Sequence, residues 1–499
     1  MLAKVCAPAQ VGLDGRLVEI ECDMSSGLPG MVIIGLGNKA VEEARDRVKS
    51  AIKNSNLLLP PKRITLNLAP AHLPKDGTAF DLGLAIAILI ASNQLTPPEN
   101  CLFAGELALN GQIRSTPGIL SAAKLAVSQG ITEVFVPQAN SHEAAAIRNI
   151  TVYPVARLRD VVRHLSGEQP IRPLKTIKPQ AITPSANACY PDFKFIYGQE
   201  TAKRAMVISA AGGHNVLLCG PPGSGKTMLS KALVGILPPL SDEEIIEVTQ
   251  LHQLAGQLQS GFVHQRPFRT PHHTASLSAL IGGGTLPRPG EVSLSHRGVL
   301  FLDELPEFQR PVLEALRQPL EDGSATIARA AAVTIFPARF VLVAAQNPCP
   351  CGYYGDQVHR CTCTRYQIKR YKQRISGPLL DRIDMVIEVN RAVFTTQPKS
   401  IDTSAALRHQ VIRVRKIQSD RYGAPKTNAE MNEHDLREHG RLTRNANQLL
   451  RQASRSLGLS NRSYSRIIKL GRTIADLEGA PDIHTSHLSE ALSYRPRAE

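Results

Sequence analysis

Residues Gly220 to Thr227 read Gly-Pro-Pro-Gly-Ser-Gly-Lys-Thr. That is the spacing Gly-x-x-x-x-Gly-Lys-[Ser/Thr], in which backbone N–H groups wrap the phosphates of a nucleotide. Gly220, Pro221, Pro222, Gly223, Ser224 and Gly225 form the wrap. Lys226 is expected to reach the β- and γ-phosphates, and Thr227 to hold Mg²⁺. A second stretch, Gly298–Leu305, is apolar until it ends in Asp303 and Glu304. Adjacent carboxylates at a strand mouth are costly unless a cation lies there. Asp303 is therefore assigned to the Mg²⁺ shell and Glu304 to the general base on the attacking water. A third apolar run, Arg339–Pro348, carries Asn347, a neutral amide suited to orienting that water. Together these residues imply hydrolysis of ATP with an added catalytic glutamate.

Rigid elements must hold these groups. The loop lies between an apolar strand (His214–Cys219) and a helix, and the helix N-terminus adds its dipole to phosphate binding. Around it, residues 191–395 read as an α/β region with several buried strands. Residues 396–499 read as helical and rich in Arg, Leu and Ala. Residues 166–190 carry four prolines and no apolar period, which marks a linker. Residues 1–165 alternate short strand-like and helical segments. In that part Gly35–Ala40 resembles a dinucleotide loop but lacks its third glycine and its acidic partner, so a turn into a helix is the better reading.

Composition narrows the class. The chain has 499 residues, 42% hydrophobic and 20% charged, which fits a multidomain globular protein. Its longest apolar run, Leu82–Ala91, is too short to span a bilayer and fits a buried helix. No secretory signal opens the sequence, so a cytoplasmic location without membrane contact is expected. Residues 1–170 carry 16 Lys+Arg against 15 Asp+Glu, so nearly all of the net charge of +15 belongs to the remainder. That field suits a polyanion such as nucleic acid, and solubility alone would also explain it.

Cys349, Cys351, Cys361 and Cys363 form two close pairs across a short loop. Four thiolates so placed can close a tetrahedral site, with His359 as a spare ligand. Structural zinc is the favoured chemistry; free thiols, an oxidisable pair and an iron–sulfur centre remain open. The stretch Gln357–Arg374 holds six Lys/Arg, among them Arg365, Lys369 and Arg370, and no acid. Tyr366 and Tyr371 interleave and could stack on bases; a solvated basic face is the alternative. The adjacent His272 and His273 could be metal ligands, but neighbouring histidines point apart unless the backbone is irregular, no acid sits nearby in the sequence, and pore or interface contacts are preferred.

The motif order resembles the AAA+ superfamily. Ile196–Met206 is similar to its adenine-facing segment, which implicates Ile196 and Tyr197. Arg374–Met385 resembles the arginine-finger region of the magnesium-chelatase and minichromosome-maintenance branch, implying Arg382 as a finger acting on a neighbouring subunit. Leu459–Gly479 resembles a sensor-2 helix, implying that Arg462 contacts nucleotide in cis. Ser324–Phe340 reads as strand, turn, strand and resembles the pre-sensor-1 hairpin of ring helicases, with Arg329 and Ala330 at a pore-facing tip. Phe268–Gly284 resembles the helix-2 insert, also pore-facing.

Pro74–Asp81 resembles the catalytic loop of Lon-type proteases, but Ala79 stands where the nucleophilic serine belongs. In Gly105–Lys124, Ala122 stands at the lysine position, and Lys124 would point elsewhere on a helix. Methyl groups supply neither nucleophile nor base. The whole chain resembles the YifB/ComM family of magnesium-chelatase-like ATPases, nearest to its ComM branch-migration helicases. The matching stretches include Asn67–Leu82, Arg266–Gly284, Pro289–Phe308 and Asn347–Asp356. The resemblance implies an α/β AAA+ P-loop core, a parallel sheet with helices on both faces. A helical C-terminal lid would follow it, and an inactive Lon-protease-like α+β domain (ribosomal S5 domain 2-like) would precede it. It implies ATP, Mg²⁺, a homohexamer, DNA (single-stranded, double-stranded or branched) and recombination proteins as partners. A metal-insertion ATPase and a non-motor scaffold with a pseudo-protease docking domain are the alternatives.

Overall fold

A computed structural model describes residues 2–35, 39–71, 73, 75, 78–179, 190–258, 260–284, 287–328, 333–356, 358–391 and 403–495. The chain divides into two compact units: Met1–Pro184 with Ser241–His264, and Ser185–Leu240 with Gln265–Glu499. Among the described residues no helix is long and apolar enough to cross a membrane.

The first unit is built on a mixed seven-stranded sheet. Ala3–Val11 lies at its centre, antiparallel to Asp14–Ser25 and parallel to Cys101–Phe103. The run expected to be a buried helix is one: Asp81–Ala91 is helical and every residue of it is buried. With no polar face, it can exist only between other layers. At Gly83 the helix packs tightly on the sheet, since a Cβ there would meet Ile20 Cδ1 at 2.8 Å and Ala7 Cβ at 3.4 Å. The helix Asp242–Leu254 also belongs to this unit. Its start is fixed by a capping box between Ser241 and Glu244. Its polar side chains find partners in the first unit: Gln250 takes Lys124 Nζ at 2.6 Å and donates to Ser121 Oγ at 3.0 Å, and Gln253 donates to Glu143 at 2.9 Å.

The second unit holds an all-parallel sheet of five strands. Their order is Phe268–Arg269, Val299–Leu302, Val341–Gln346, Val216–Cys219, Met385–Glu388. Such strands are buried on both faces, which is why they read as continuous apolar runs. Five α-helices between Ser404 and Ser493 complete the unit. The first is fastened to the sheet's helices by side chains reaching carbonyls: Arg408 to Gly235 at 2.8 Å and Arg415 to Ala210 at 3.0 Å. The anticipated hairpin is present as Ser324–Ala328 paired antiparallel with Val333–Pro337; Arg329 and Ala330 lie outside the described residues.

Asp81 is buried completely at the head of the apolar helix, paired with Arg47 at 2.8 Å. Burial lifts its carboxyl to about 6; the Arg47 hydrogen bond opposes that without overcoming it. The folded chain therefore holds this proton more tightly than the unfolded chain. Stability contributed here is present below about pH 4 and falls by up to about 3 kcal/mol as pH rises to about 6. Asp81→Asn is expected to flatten that decline in thermal unfolding measured across the window; an unchanged slope refutes it.

Candidate active site

The groups singled out for hydrolysis come together at one edge of the parallel sheet. Pairing of Cys219 with Gln346 sets the register. The chain then turns from Cys219 into the loop, and from Gln346 to Asn347, side by side. Lys226 Nζ donates to Asn347 Oδ1 at 3.2 Å and to the carbonyls of Gly220 and Pro221 at 2.6 and 3.0 Å. Burial lowers the affinity of Lys226 for its proton, an effect the charges of Asp303 and Glu304 oppose. Thr227 Oγ1 donates to Asp303 Oδ2 at 3.2 Å. A hydroxyl and a carboxylate at that separation can share one Mg²⁺ ion. Glu304 follows in a left-handed conformation, φ +52°, and its backbone N–H caps Asp303 Oδ1 at 3.0 Å.

The loop's glycines are forced by space and conformation. A Cβ at Gly220 would meet the Val389 carbonyl at 2.2 Å, and Gly225 opens the Lys226–Ile236 helix at φ +87°. Ser224 Oγ is buried with no partner among the described residues, a hydroxyl left over inside the Gly220–Gly225 loop. That orphan and the lysine fit a bound triphosphate. Of the adenine-side pair, Ile196 is buried and Tyr197 is exposed.

Gln199 was not foreseen. It sits in a left-handed turn, φ +59°, and its Nε2 donates to the carbonyls of Ser224 at 2.6 Å and Asn390 at 3.2 Å, pinning the loop from outside. Gly352 is the second. Its φ is +85°, and a Cβ there would meet Pro222 Cδ at 2.7 Å. The cysteine loop thus lies directly on the phosphate loop.

The four cysteine sulfurs lie within 4.8 Å of one another. Cys349–Cys351, Cys349–Cys361 and Cys351–Cys361 separations are 3.3, 3.7 and 3.6 Å. Four sulfurs on a tetrahedral zinc would stand about 3.8 Å apart, so the set fits that ion. Backbone N–H groups support the sulfurs, from Tyr354 to Cys349 at 3.3 Å and from Cys351 to Cys363 at 3.4 Å. His359 is no member; its ring packs edge-on against Tyr353.

Three further expectations change. His272 and His273 do not point apart: their rings are 4.1 Å centre to centre, because the backbone between a two-residue strand and the next helix is irregular. His273 Nδ1 stands 3.6 Å from Glu304 Oε2, so an acid does lie beside the pair. Tyr371 is buried with Ile368 on the inner face of the Arg365–Lys372 helix, leaving Tyr366 as the exposed ring. Arg365, Lys369 and Arg370 are exposed on that helix. Arg382 and Arg462 both bond the same carboxylate, Glu321.

In the first unit, Thr78, Ala79, Thr116, Ser121 and Ala122 line one small cavity of about 60 Å³. The two protease-like positions do meet, as alanines. Lys124 is engaged with Gln250, and Lys75 is buried on the carbonyls of Pro70 and Gly35 at 2.6 and 3.1 Å.

Comparison with known proteins agrees with this geometry. The family model described as "Magnesium chelatase, subunit ChlI" matches residues 192–397, "Subunit ChlI of Mg-chelatase" matches 20–140, and "Magnesium chelatase, subunit ChlI C-terminal" matches 401–495. The chain is 46% identical to "Competence protein ComM" of Haemophilus influenzae, covering 99% of this chain and 97% of the relative. It is 42% identical to "Uncharacterized protein YifB" of Escherichia coli, with the same coverage. A Lon protease of Brucella suis is 24% identical over 168 residues, 31% of this chain and 21% of the relative.

Gly220→Ala must push the loop away from the Val389 carbonyl. It is expected to weaken nucleotide binding at least about tenfold, read by titration with a fluorescent ATP analogue. Unaltered affinity contradicts the packing described.

Proposed function

The chain belongs to the magnesium-chelatase-like family that includes ComM and YifB, and on that premise we propose that it is an ATP-driven DNA motor. It works as a homohexamer and promotes branch migration during homologous recombination and natural transformation. One observation carries the proposal. Lys226, Thr227, Asp303, Glu304 and Asn347 stand together as a hydrolysis set in a chain matching a competence protein along its length.

In this reading the phosphates lie in the Gly220–Gly225 wrap, held by Lys226, with Mg²⁺ on Thr227 and Asp303. Glu304 takes the proton of the attacking water, which Asn347 orients. Tyr197 and Ile196 face the base. Arg382 reaches the terminal phosphate held by a neighbouring copy, which requires a ring, and Arg462 reaches the nucleotide of its own chain. The helices from Ser404 onward act as the lid over that nucleotide. The hairpin carrying Arg329 and Ala330, the basic helix with Arg365, Lys369 and Arg370, and His272 with His273 in the insert supply contacts for DNA. Exposed Tyr366 is suited to stacking on unpaired bases. The first unit is a Lon-like fold without peptidase chemistry, because its cavity offers methyl groups at both dyad positions. Zinc on the four cysteines stiffens the loop that lies on Pro222.

The family models' descriptions favour one second reading, a metal-insertion ATPase, whose turnover would not respond to DNA. Salt-sensitive DNA binding, DNA-stimulated ATP hydrolysis and ATP-dependent branch migration on a synthetic four-way junction are the expected results. Failure of all three on active ATPase sinks the motor reading. Glu304→Gln is expected to slow hydrolysis at least about 100-fold while ATP remains bound; unchanged turnover refutes the base. Metal analysis is expected to find close to one zinc per chain, lost in Cys351→Ser. Zinc-free protein of full stability rejects the zinc assignment.

A further inference from the structure

Arg382 and Arg462 come from separate elements. Arg382 follows the Gly377–Leu380 helix, and Arg462 opens the Asn461–Glu478 helix. They converge on Glu321, at the end of the Arg317–Asp322 helix. The rest of the Arg382 guanidinium is also spent within its own chain. Its Nε donates to the Arg317 carbonyl at 3.1 Å and an Nη to the Pro378 carbonyl at 2.7 Å. Only 10% of this side chain is exposed, against 48% of Glu321. The backbone beneath it is fixed as well. The Asn215 amide donates to the Arg382 carbonyl at 3.0 Å, and Arg466 donates to the Ile383 carbonyl at 2.9 Å. The arginine can therefore change partner by a side-chain movement alone.

Two guanidiniums share one carboxylate. The neighbouring cations have acids of their own: Arg317 has Glu314 at 2.9 Å, and Arg466 lies 3.9 and 4.0 Å from Asp381 and Asp384. Glu321 and Arg382 line a cavity of about 690 Å³, and Glu321 is the carboxylate that both Arg382 and Arg462 bond. A terminal phosphate brings more negative charge than a carboxylate, and in the proposed reading each guanidinium has one of its own to move to, Arg382 on a neighbouring copy and Arg462 on its own chain. A half-exposed carboxylate holds weakly enough to be exchanged for it.

We propose that Glu321 is a positioning residue: it holds Arg382 and Arg462 together in the free chain and competes with nucleotide phosphate for them. The inference rests on the reading of Arg382 as a residue that acts on a second copy of this chain. Removal of the carboxylate removes the competitor, so the assembled, nucleotide-bound form is reached more easily.

The test uses the full chain at saturating ATP and Mg²⁺ and follows turnover against protein concentration. Glu321→Gln is expected to lower the concentration of half-maximal turnover about fivefold, roughly 1 kcal/mol. Glu321→Ser should shift it in the same direction, and Glu321→Asp should stay near the native value. Loss of packing alone would not move the midpoint downward. Should Glu321→Gln fail to fold, Glu321→Ser carries the test. A midpoint that stays or rises in a folded charge-removing variant overturns the role of Glu321, provided Arg382→Ala has abolished turnover. Full turnover by Arg382→Ala instead overturns the finger assignment, and this inference with it.

Discussion

The insertion of Val341–Gln346 between Val216–Cys219 and Val299–Leu302 is the constraint on which the rest of the second unit depends. Parallel pairing makes all three strands end at the same edge, each in a different polar group. The register of Cys219 with Gln346 sets Asn347 beside Lys226, and the next strand delivers Asp303 to Thr227. A one-residue slip would turn each of these ends to the opposite face. Asn215 guards against it: its side chain accepts from the Leu342 N–H at 2.9 Å while donating to the Arg382 carbonyl. One amide at the root of Val216–Cys219 thus ties the central strand to the arginine segment.

The phosphate loop was legible in the sequence because its backbone admits glycine alone at positions such as Gly220 and Gly225. The strands were legible because double-sided burial writes itself as an unbroken apolar run, and the Asp81–Ala91 helix for the same reason. The four cysteines were found by count and spacing. Gln199 and Glu321 were not found, because a glutamine in a turn and a glutamate on a helix leave no periodic mark. Their meaning comes from carbonyls and guanidiniums brought near by distant chain. The error over Tyr371 was avoidable: Ile368 and Tyr371 are three residues apart on one helical face, and the spacing alone buries both. The stacking of His272 on His273 follows the exception the sequence allows, an irregular backbone, but no residue pattern announces that irregularity between two short elements.

The cysteine loop and the phosphate loop share a wall. Gly352 can approach Pro222 only because it lacks a side chain and takes a positive φ, and Asn347 stands two residues before the first cysteine. A rigid ion at those thiolates would brace both the wrap and the amide next to Lys226. Under the proposed reading, two adjoining loops would answer to two chemistries, one of soft sulfur ligands and one of hard phosphate oxygens.

The helix Asp242–Leu254 has its partners in the first unit, yet it is encoded after the phosphate loop. The chain crosses from one unit to the other three times, and neither unit is a continuous stretch of sequence. During synthesis, the seven-stranded sheet can form early. Its unit stays incomplete until residue 264 has left the ribosome, by which point the first strand and helix of the second unit are already waiting. The two units mature in an interleaved order. A boundary drawn by cutting the sequence once would leave both unfinished.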